Sequence, residues 1–431
     1  MPMTRQRVLY ICHNHPEVYV GGAEVCAWEL FQAMREFGEF EPIFLARTTA
    51  PGYRSRNGTP FRALNDDPNQ VLWYQEEYVP FFMTTRRKEQ FTVHFHRFLR
   101  TYRPDVVHIQ HTYGLGFDLI RQIHNSLPGV PIVYTLHEFF PICQAEGHML
   151  RTTRGGELCR QASPARCHEC APEQSPHEHF LRERFIRSHF ALVDLFLAPS
   201  RFLLDRYRDW GIPAEKLRFQ ENGRVLQTPL DEPGSENSPP RGQIGFFGQL
   251  TPHKGVVVLL QAMKLLSASP GPPVHLFLNG ANLESQSEEF QEEVSALLRE
   301  CRGNVTVLGK YRTSEIPQRM RAIAWVVVPS LWWENSPLVI QEAFMHRRPV
   351  ISSDVGGMAE KVTAGVNGLH FRLGDPADLA ATLARAAGTP GLWERLREGI
   401  SPVYSIEDSV KAHGSIYRSL IDKARAEEGG S

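Results

Sequence analysis

The sequence contains no run of about 18 apolar residues, the length a membrane-spanning helix needs; apolar stretches such as Ala324 to Trp333 are broken by Pro329 and Ser330. An excess of one charge is missing too. Lys and Arg number 47 against 48 Asp and Glu, a formal charge of -1, so overall charge names no polyanionic partner and nucleic acid is not expected. No solenoid-length repeat is apparent. The run Val8 to Cys12 is too short for a secretory h-region and no small-residue cleavage site follows, which gives a cytoplasmic expectation. Cysteine is scarce. Of seven, Cys12, Cys26 and Cys301 stand alone and read as core thiols, whereas Cys143, Cys159, Cys167 and Cys170 fall close together. In a cytosolic chain a local cluster with a C-x2-C suits a metal site better than disulfides.

What is present is an α/β rhythm, stated twice. Val8 to Cys12, Pro42 to Ala46, Asp105 to Gln110, Pro131 to Leu136 and Asp194 to Pro199 are short, β-branched runs, with helical patterns such as Ala23 to Glu36 between them. They predict strands buried on both faces. The rhythm restarts with Ile244 to Phe247, Val274 to Leu278, Asn304 to Leu308, Ala324 to Val328 and Pro349 to Ser352. The 431 residues therefore divide into a first domain over 1–230, a linker over 231–242 with the text DEPGSENSPPRG, a second domain over 243–402, and a helical end over 403–431 suited to pack back on the first domain. Beyond Asp375 the pattern is helical to about Ala426. The segment Met149 to His179 is polar and long for a loop, which predicts a functional or cross-linked insertion around residues 143–170.

Two stretches of the second domain carry chemistry. In PSLWWENSPLVIQE, Glu334 and Glu342 stand eight apart across a loop-to-helix junction, with Ser336 suited to the N-cap and Pro337 to the first helical position. Backbone N–H groups from Leu338 onward would face a bound anion. A carboxylate accepts two hydrogen bonds from a vicinal diol, so the pair suits a nucleoside diphosphate bearing a sugar. The spacing is equally that of two carboxylates solvating an ordinary helix. In GFFGQLTPHKG a strand runs into a loop where Gly248 allows close backbone approach and Lys254 offers a point charge for phosphate. It lacks G-x4-G-K-[ST] and is no ATPase loop; an ordinary β-α turn with a surface lysine reads the same way.

In the first domain Gly21 and Gly22 lie between the first strand and helix, and His111 and His137 fall at the C-terminal ends of strands, the edge where open α/β sheets bind ligands. Cys143, Cys159, Cys167 and Cys170 have ligand types for a structural tetrahedral zinc, with His148 and His168 as substitutes; free thiols are the alternative. From Phe81 to Arg103, Arg86, Arg87, Lys88, Arg97, Arg100 and Arg103 alternate with Phe91, Phe95, Phe98 and Tyr102 at helical spacing, which predicts an aromatic face toward the core and a basic face able to attract an anionic membrane surface.

Together these motifs resemble the retaining glycosyltransferases of family 4, over nearly the whole chain. The resemblance rests on E-x7-E at Glu334 and Glu342 in WENSPLVIQEAF, on PVISSDVGGMAEKVTAGVNGLHF and GQLTPHKG, and on GGAE, VVHIQH and TLHEF in the first domain. It implies the GT-B architecture, two Rossmann-like domains with a cleft between them, and a sugar passed from a UDP- or GDP-linked donor to a glycan or lipid-linked acceptor. It further implies that Glu342 contacts the donor ribose, Glu334 with Asn335, Ser336 and Leu338 the sugar and diphosphate, and Lys254 the leaving group. Gly248 and Gln249 line the donor, Gly22 lies near the diphosphate or acceptor, His137 beside the transferring sugar and His111 on the acceptor side. The family usually has Arg where Gln249 stands, so one cation is missing. There is no Asp-x-Asp, which suits a metal-independent reaction, and none of the first-domain motifs offers a well-placed carboxylate nucleophile. Two rival readings share these residues: an epimerase or hydrolase of nucleotide sugars, and a non-catalytic nucleotide-sugar-binding scaffold.

Overall fold

The structure, a computed structural model, describes residues 5–19, 21–54, 58–86, 88–226 and 239–429. The expected linker therefore lies mostly outside the described residues, as does Arg87. The chain divides into two compact units, one of Met1–Val225 with Tyr404–Ser431 and one of Leu226–Val403.

The first unit is built on an eight-stranded sheet of β1 (Arg7–Cys12), β2 (Glu41–Thr48), β3 (Phe61–Leu64), β4 (Asp67–Tyr74), β5 (Val106–Ile109), β6 (Ile132–Thr135), β7 (Leu195–Ala198) and β8 (Leu217–Phe219), in the order β8-β7-β6-β5-β1-β2-β4-β3. All neighbours run parallel except the hairpin β3–β4 at one edge. Its two-residue turn, Asn65 and Asp66, has φ of 53° and 56°, values that Asn and Asp tolerate best among residues with a Cβ. Helix α1 (Gly22–Phe37) follows β1, and α2 (Lys88–Tyr102) lies against the hairpin edge through Trp73, which stacks on Phe91 and Phe95 at 4.7 and 5.0 Å. The aromatic face of α2 thus enters the core, while Arg97 and Arg100 stay exposed.

The polar segment before His179 holds a short hairpin, Leu150–Arg151 against Glu157–Leu158, and then α3 (Pro164–Cys170) and α4 (Pro176–Phe190). Ser163 caps α3, which buries no residue, and Ser175 with Glu178 forms a capping box on α4, which is also anchored by buried Ile186 and Phe190.

The second unit has six parallel strands, β9 (Gln243–Gln249), β10 (His275–Ala281), β11 (Val305–Val307), β12 (Trp325–Val328), β13 (Val350–Ser353) and β14 (Gly368–Phe371), ordered β11-β10-β9-β12-β13-β14. Trp325 and Val327 enter one core, Val326 and Val328 the other, because helices cover both faces. Helix α5 (Leu338–Met345) follows β12. Past Asp375 the helical text is interrupted. Helices Pro376–Gly388 and Leu392–Glu398 are separated at Pro390 and Gly391, and a non-helical stretch containing Pro402 precedes the final helix, α6 (Ile406–Gly429). Ile406, Val410, Ile416, Tyr417 and Ile421 of α6 bury themselves in the core of the first unit with α1 and β1.

Candidate active site

In a sheet ordered like the second one, the strand order reverses between β9 and β12, and ligands of such sheets bind outside the carboxyl ends at that reversal. Lys254 follows β9 and Glu334 follows β12. The Lys254 Nζ stands 2.6 Å from Glu334 Oε1, and the same oxygen accepts from Ser330 Oγ at 2.8 Å and Trp332 Nε1 at 2.9 Å. Burial by itself would raise the Glu334 carboxyl, which is only 6% exposed, but the Lys254 charge and these donors outweigh it and hold the group below the usual carboxylate range. Lys254 keeps a third of its side chain exposed and also sits over the Trp332 ring at 5.7 Å.

Backbone packing fixes the loop that carries Glu334. Leu331 N–H donates to His253 O at 2.8 Å and Gly357 N–H to Glu334 O at 2.7 Å. Two close approaches admit only glycine. A Cβ on Gly255, whose φ is 71°, would lie 1.9 Å from Pro329 O, and one on Gly357 would lie 1.7 Å from Asn335 O. Gly255 lets the lysine turn close on the end of β12, and Gly357, in the helix that follows β13, lets that helix close on the Glu334 loop.

Helix α5 begins one residue later than expected. Pro337, with ψ of 116°, is the N-cap rather than the first helical residue, so Ser336 stands one position before the cap, and the proline itself makes no side-chain cap bond. Leu338 opens the helix, and Glu342 lies one turn further in, half-buried. Its charge, after burial, pushes the Tyr311 hydroxyl up, which places Glu342 in electrostatic reach of Tyr311. Asn335 is buried on the Glu334 loop. Gly248 is the penultimate residue of β9, and Gln249 ends that strand with an exposed side chain.

The corresponding reversal in the first unit lies between β1 and β5. Gly22 is the first residue of α1, after Gly21 at the N-cap. His111 accepts from Tyr113 N–H at Nδ1, 3.0 Å, and directs Nε2 to Glu138 Oε1 at 3.4 Å. Its ring lies 4.0 Å from that of His13, whose Nε2 is 2.9 Å from Glu24 Oε1. His137 directs Nε2 to Gln110 Oε1 at 2.9 Å. Burial lowers the His137 imidazole to about 4 and His111 well below its ordinary value, so both are neutral at pH 7. Burial acts oppositely on Glu138 and raises it to about 8, partly offset by the Phe140 N–H and the Arg182 charge.

The structure thus brings together His111 and His137, as expected, with three residues the sequence reading passed over: His13, Glu24 and Glu138. Two of these are carboxyl groups, Glu24 paired with His13 and Glu138 raised by burial. Glu24 and Glu138 stand inside the quoted GGAE and TLHEF, and His13 follows β1 in the position that singled out His111 after β5. The strand-end rule, applied to every strand, would have found it.

The zinc site expected at Cys143, Cys159, Cys167 and Cys170 is not supported by the arrangement of their side chains. All four are free, and among the described residues no three His, Cys, Asp or Glu side chains come together as a metal set. Cys143 Sγ faces Ala145 O at 3.8 Å and Cys159 Sγ faces Gln161 O at 3.5 Å, each turned to its own loop. Burial pushes the Cys143 thiol up to about 11 and raises Cys159 and Cys167, and the neighbouring cysteines of the cluster add to each of these shifts. His168 Nδ1 lies 2.7 Å from Gln174 O.

Known proteins match in both units. The family model described as Glycosyltransferase Family 4 covers residues 20–227, and that described as Glycosyl transferases group 1 covers 241–388. A lipopolysaccharide 1,2-N-acetylglucosaminetransferase of Salmonella typhimurium is 26% identical over 185 residues, 41% of this chain and 48% of that protein. The chain thus spans about half the length of the first curated relatives it matches. Among solved structures, sucrose-phosphate synthase from Thermosynechococcus elongatus superposes with a TM-score of 0.70 at 19% identity, covering 97% of this chain and 100% of that one. Anabaena Alr3699/HepE in complex with UDP and glucose superposes with a TM-score of 0.59 at 17% identity, over 99% and 100%. Two parallel-sheet α/β units of this kind make the fold GT-B. The chain belongs to the family 4 glycosyltransferases.

Proposed function

We propose that the protein is a retaining glycosyltransferase that moves a sugar from a nucleotide-sugar donor, UDP- or GDP-linked, to a hydroxyl of a glycan or lipid-linked acceptor. The observation that carries the reading is the Lys254–Glu334 pair at the reversal of the second sheet, just ahead of the start of α5 at Leu338. In this reading Lys254 and the first N–H groups of α5 meet the diphosphate, with Gly248 and Gln249 beside it. Glu342 binds the ribose diol, and Glu334 with Asn335 orients the sugar. The HepE structure, a complex with UDP and glucose, is in keeping with such a donor. His137 and His111 serve the transferring sugar and the acceptor, with Gly22 close to either.

Departure of the diphosphate is the costly step, and in this reading the partly exposed Lys254 ammonium with oriented N–H groups stabilises it without a divalent metal. The leaving phosphate then accepts the acceptor's proton on the same face, so the anomeric configuration is retained. Glu24, which its donors hold ionised, is the carboxylate a double displacement would use instead, and chemical trapping of a glycosylated carboxylate would overturn the front-face route. The direct test is incubation with nucleotide sugars in chelator, following nucleoside diphosphate release and the product anomer by NMR. Retention without added metal is expected; an inverted product or a strict need for Mg or Mn contradicts it.

Among the described residues no helix is long and apolar enough to cross a membrane. In this reading the enzyme is cytoplasmic and touches the inner face of the membrane, and the exposed Arg97 and Arg100 of α2 support the contact with anionic lipid. Sedimentation with anionic vesicles at low salt tests this, and its absence removes the membrane contact from the account.

A further inference from the structure

Behind His137 lies a line of buried polar groups that ends on the last helix of the chain. An amide oxygen can only accept, so the 2.9 Å contact of His137 Nε2 with Gln110 Oε1 puts the proton on Nε2. The Gln110 amide nitrogen stands 3.3 and 3.2 Å from the two ring nitrogens of His108, near-equal distances that place it over the imidazole face. His108 is fixed at both ends, with Nδ1 2.6 Å from Tyr417 Oη and Nε2 2.7 Å from Thr135 Oγ1. Tyr417 Oη donates to Tyr10 Oη at 3.2 Å, so it accepts from His108 Nδ1–H, and Nε2 is left to accept from Thr135. His108 and Tyr417 are fully buried and Gln110 is 3% exposed.

Tyr417 belongs to α6, some 280 positions beyond His137 in sequence, and His413 of the same helix stacks on His108 at 5.6 Å. Apolar side chains of similar volume would fill this core with less desolvation cost, so a satisfied polar line through it calls for a role. Its open end is the candidate catalytic histidine. We infer that Tyr417, His108 and Gln110 are positioning residues, a relay by which α6 fixes the tautomer and ring orientation of His137. The inference rests on the reading of His137 as the side chain beside the transferring sugar.

The test uses the full chain labelled with 15N-histidine, with His137→Ala to assign the His137 resonance, and compares wild type, Gln110→Leu and Tyr417→Phe. Wild type should show the Nε2–H tautomer. Gln110→Leu should convert His137 to a tautomer mixture and lower kcat by about 10- to 100-fold, with donor KM changed less than about twofold, as misplacement of a catalytic group does. Tyr417→Phe, which keeps the ring volume, should move both readouts in the same direction by less. A wild-type tautomer in both variants overturns the relay, as does an altered tautomer with unchanged kcat or a lowered kcat with the tautomer intact. The NMR readout needs no substrate. If wild type transfers no sugar, the tautomer alone decides the relay, and failure of the functional reading is seen separately.

Discussion

Replacing Lys254 with alanine leaves the Glu334 carboxylate, 6% exposed, without the ammonium 2.6 Å away. Removing one partner of a fully buried ion pair costs about 3–5 kcal/mol, and an exposed pair about 0–1. Here the lysine is one-third exposed and Ser330 and Trp332 still donate to the same oxygen, so a cost of about 2 kcal/mol is expected. In a unit of this size that is about 4–8 °C in the melting transition. Glu334→Gln, which removes the charge and keeps the shape, should cost about 1 kcal/mol, and the double variant should fall short of additivity by about 1 kcal/mol or more. The pH dependence has a definite sign. In wild type the folded-state pKa of Glu334 is depressed, so its contribution is present above the unfolded value and lost as pH falls through the folded one. Without Lys254 burial dominates, the folded pKa rises above the unfolded one, and the variant carboxyl prefers its proton. The gap between wild type and Lys254→Ala should therefore be widest near pH 7 and narrow toward pH 4. Urea midpoints measured across that range provide the assay. Strict additivity, or a gap that does not change with pH, would refute the reasoning.

Gly357→Ala puts a methyl 1.7 Å from Asn335 O and must displace the Glu334 loop. It should cost about 1–3 kcal/mol by thermal melt and weaken nucleotide binding, whereas unchanged binding would free that loop of its assigned role. Glu138 carries the opposite sign to Glu334. Its folded pKa near 8 lies above the unfolded value, so its protonated form favours folding at low pH and that stability is lost as pH rises toward 8. Glu138→Gln should flatten the fall in urea midpoint between pH 6 and 8.5, and an unchanged slope would place the proton elsewhere. His137→Ala should leave nucleotide binding within about twofold and lower kcat by about 100-fold or more in a transfer assay. A loss of binding with kcat intact would assign it to the donor instead.

Most strands of both sheets were readable because parallel strands covered on both faces become unbroken β-branched runs, as in Trp325–Val328, but the edge strands β8 and β14 were not. The β3–β4 hairpin was not, because Asp67–Tyr74 opens on polar residues, although Asn65-Asp66 is a hairpin turn signal in plain view. The Glu334–Glu342 spacing is local and legible. The donors on Glu334 are less so: Ser330 and Trp332 are sequence neighbours whose convergence on one oxygen depends on a backbone turn that the packing of Gly255 and Gly357 fixes. Helix α5 was misplaced by one residue because proline suits both the cap and the first helical position, and only ψ distinguishes them. The four cysteines show the limit of spacing arguments. Ligand types were right for zinc, but the loops turn Cys143 and Cys159 toward their own carbonyls.

The most direct test of the central claim is a thermal-shift series with UDP, GDP, ADP, CMP and dTDP on wild type, Lys254→Ala and Glu342→Ala, each referred to its own ligand-free melt. A nucleotide present at about 100 times its dissociation constant stabilises by about 2.7 kcal/mol, readily measured in a unit of this size. The account predicts that one nucleotide shifts wild type and that both substitutions abolish the shift. No shift with any of the five, or one that persists undiminished in Glu342→Ala, would contradict it.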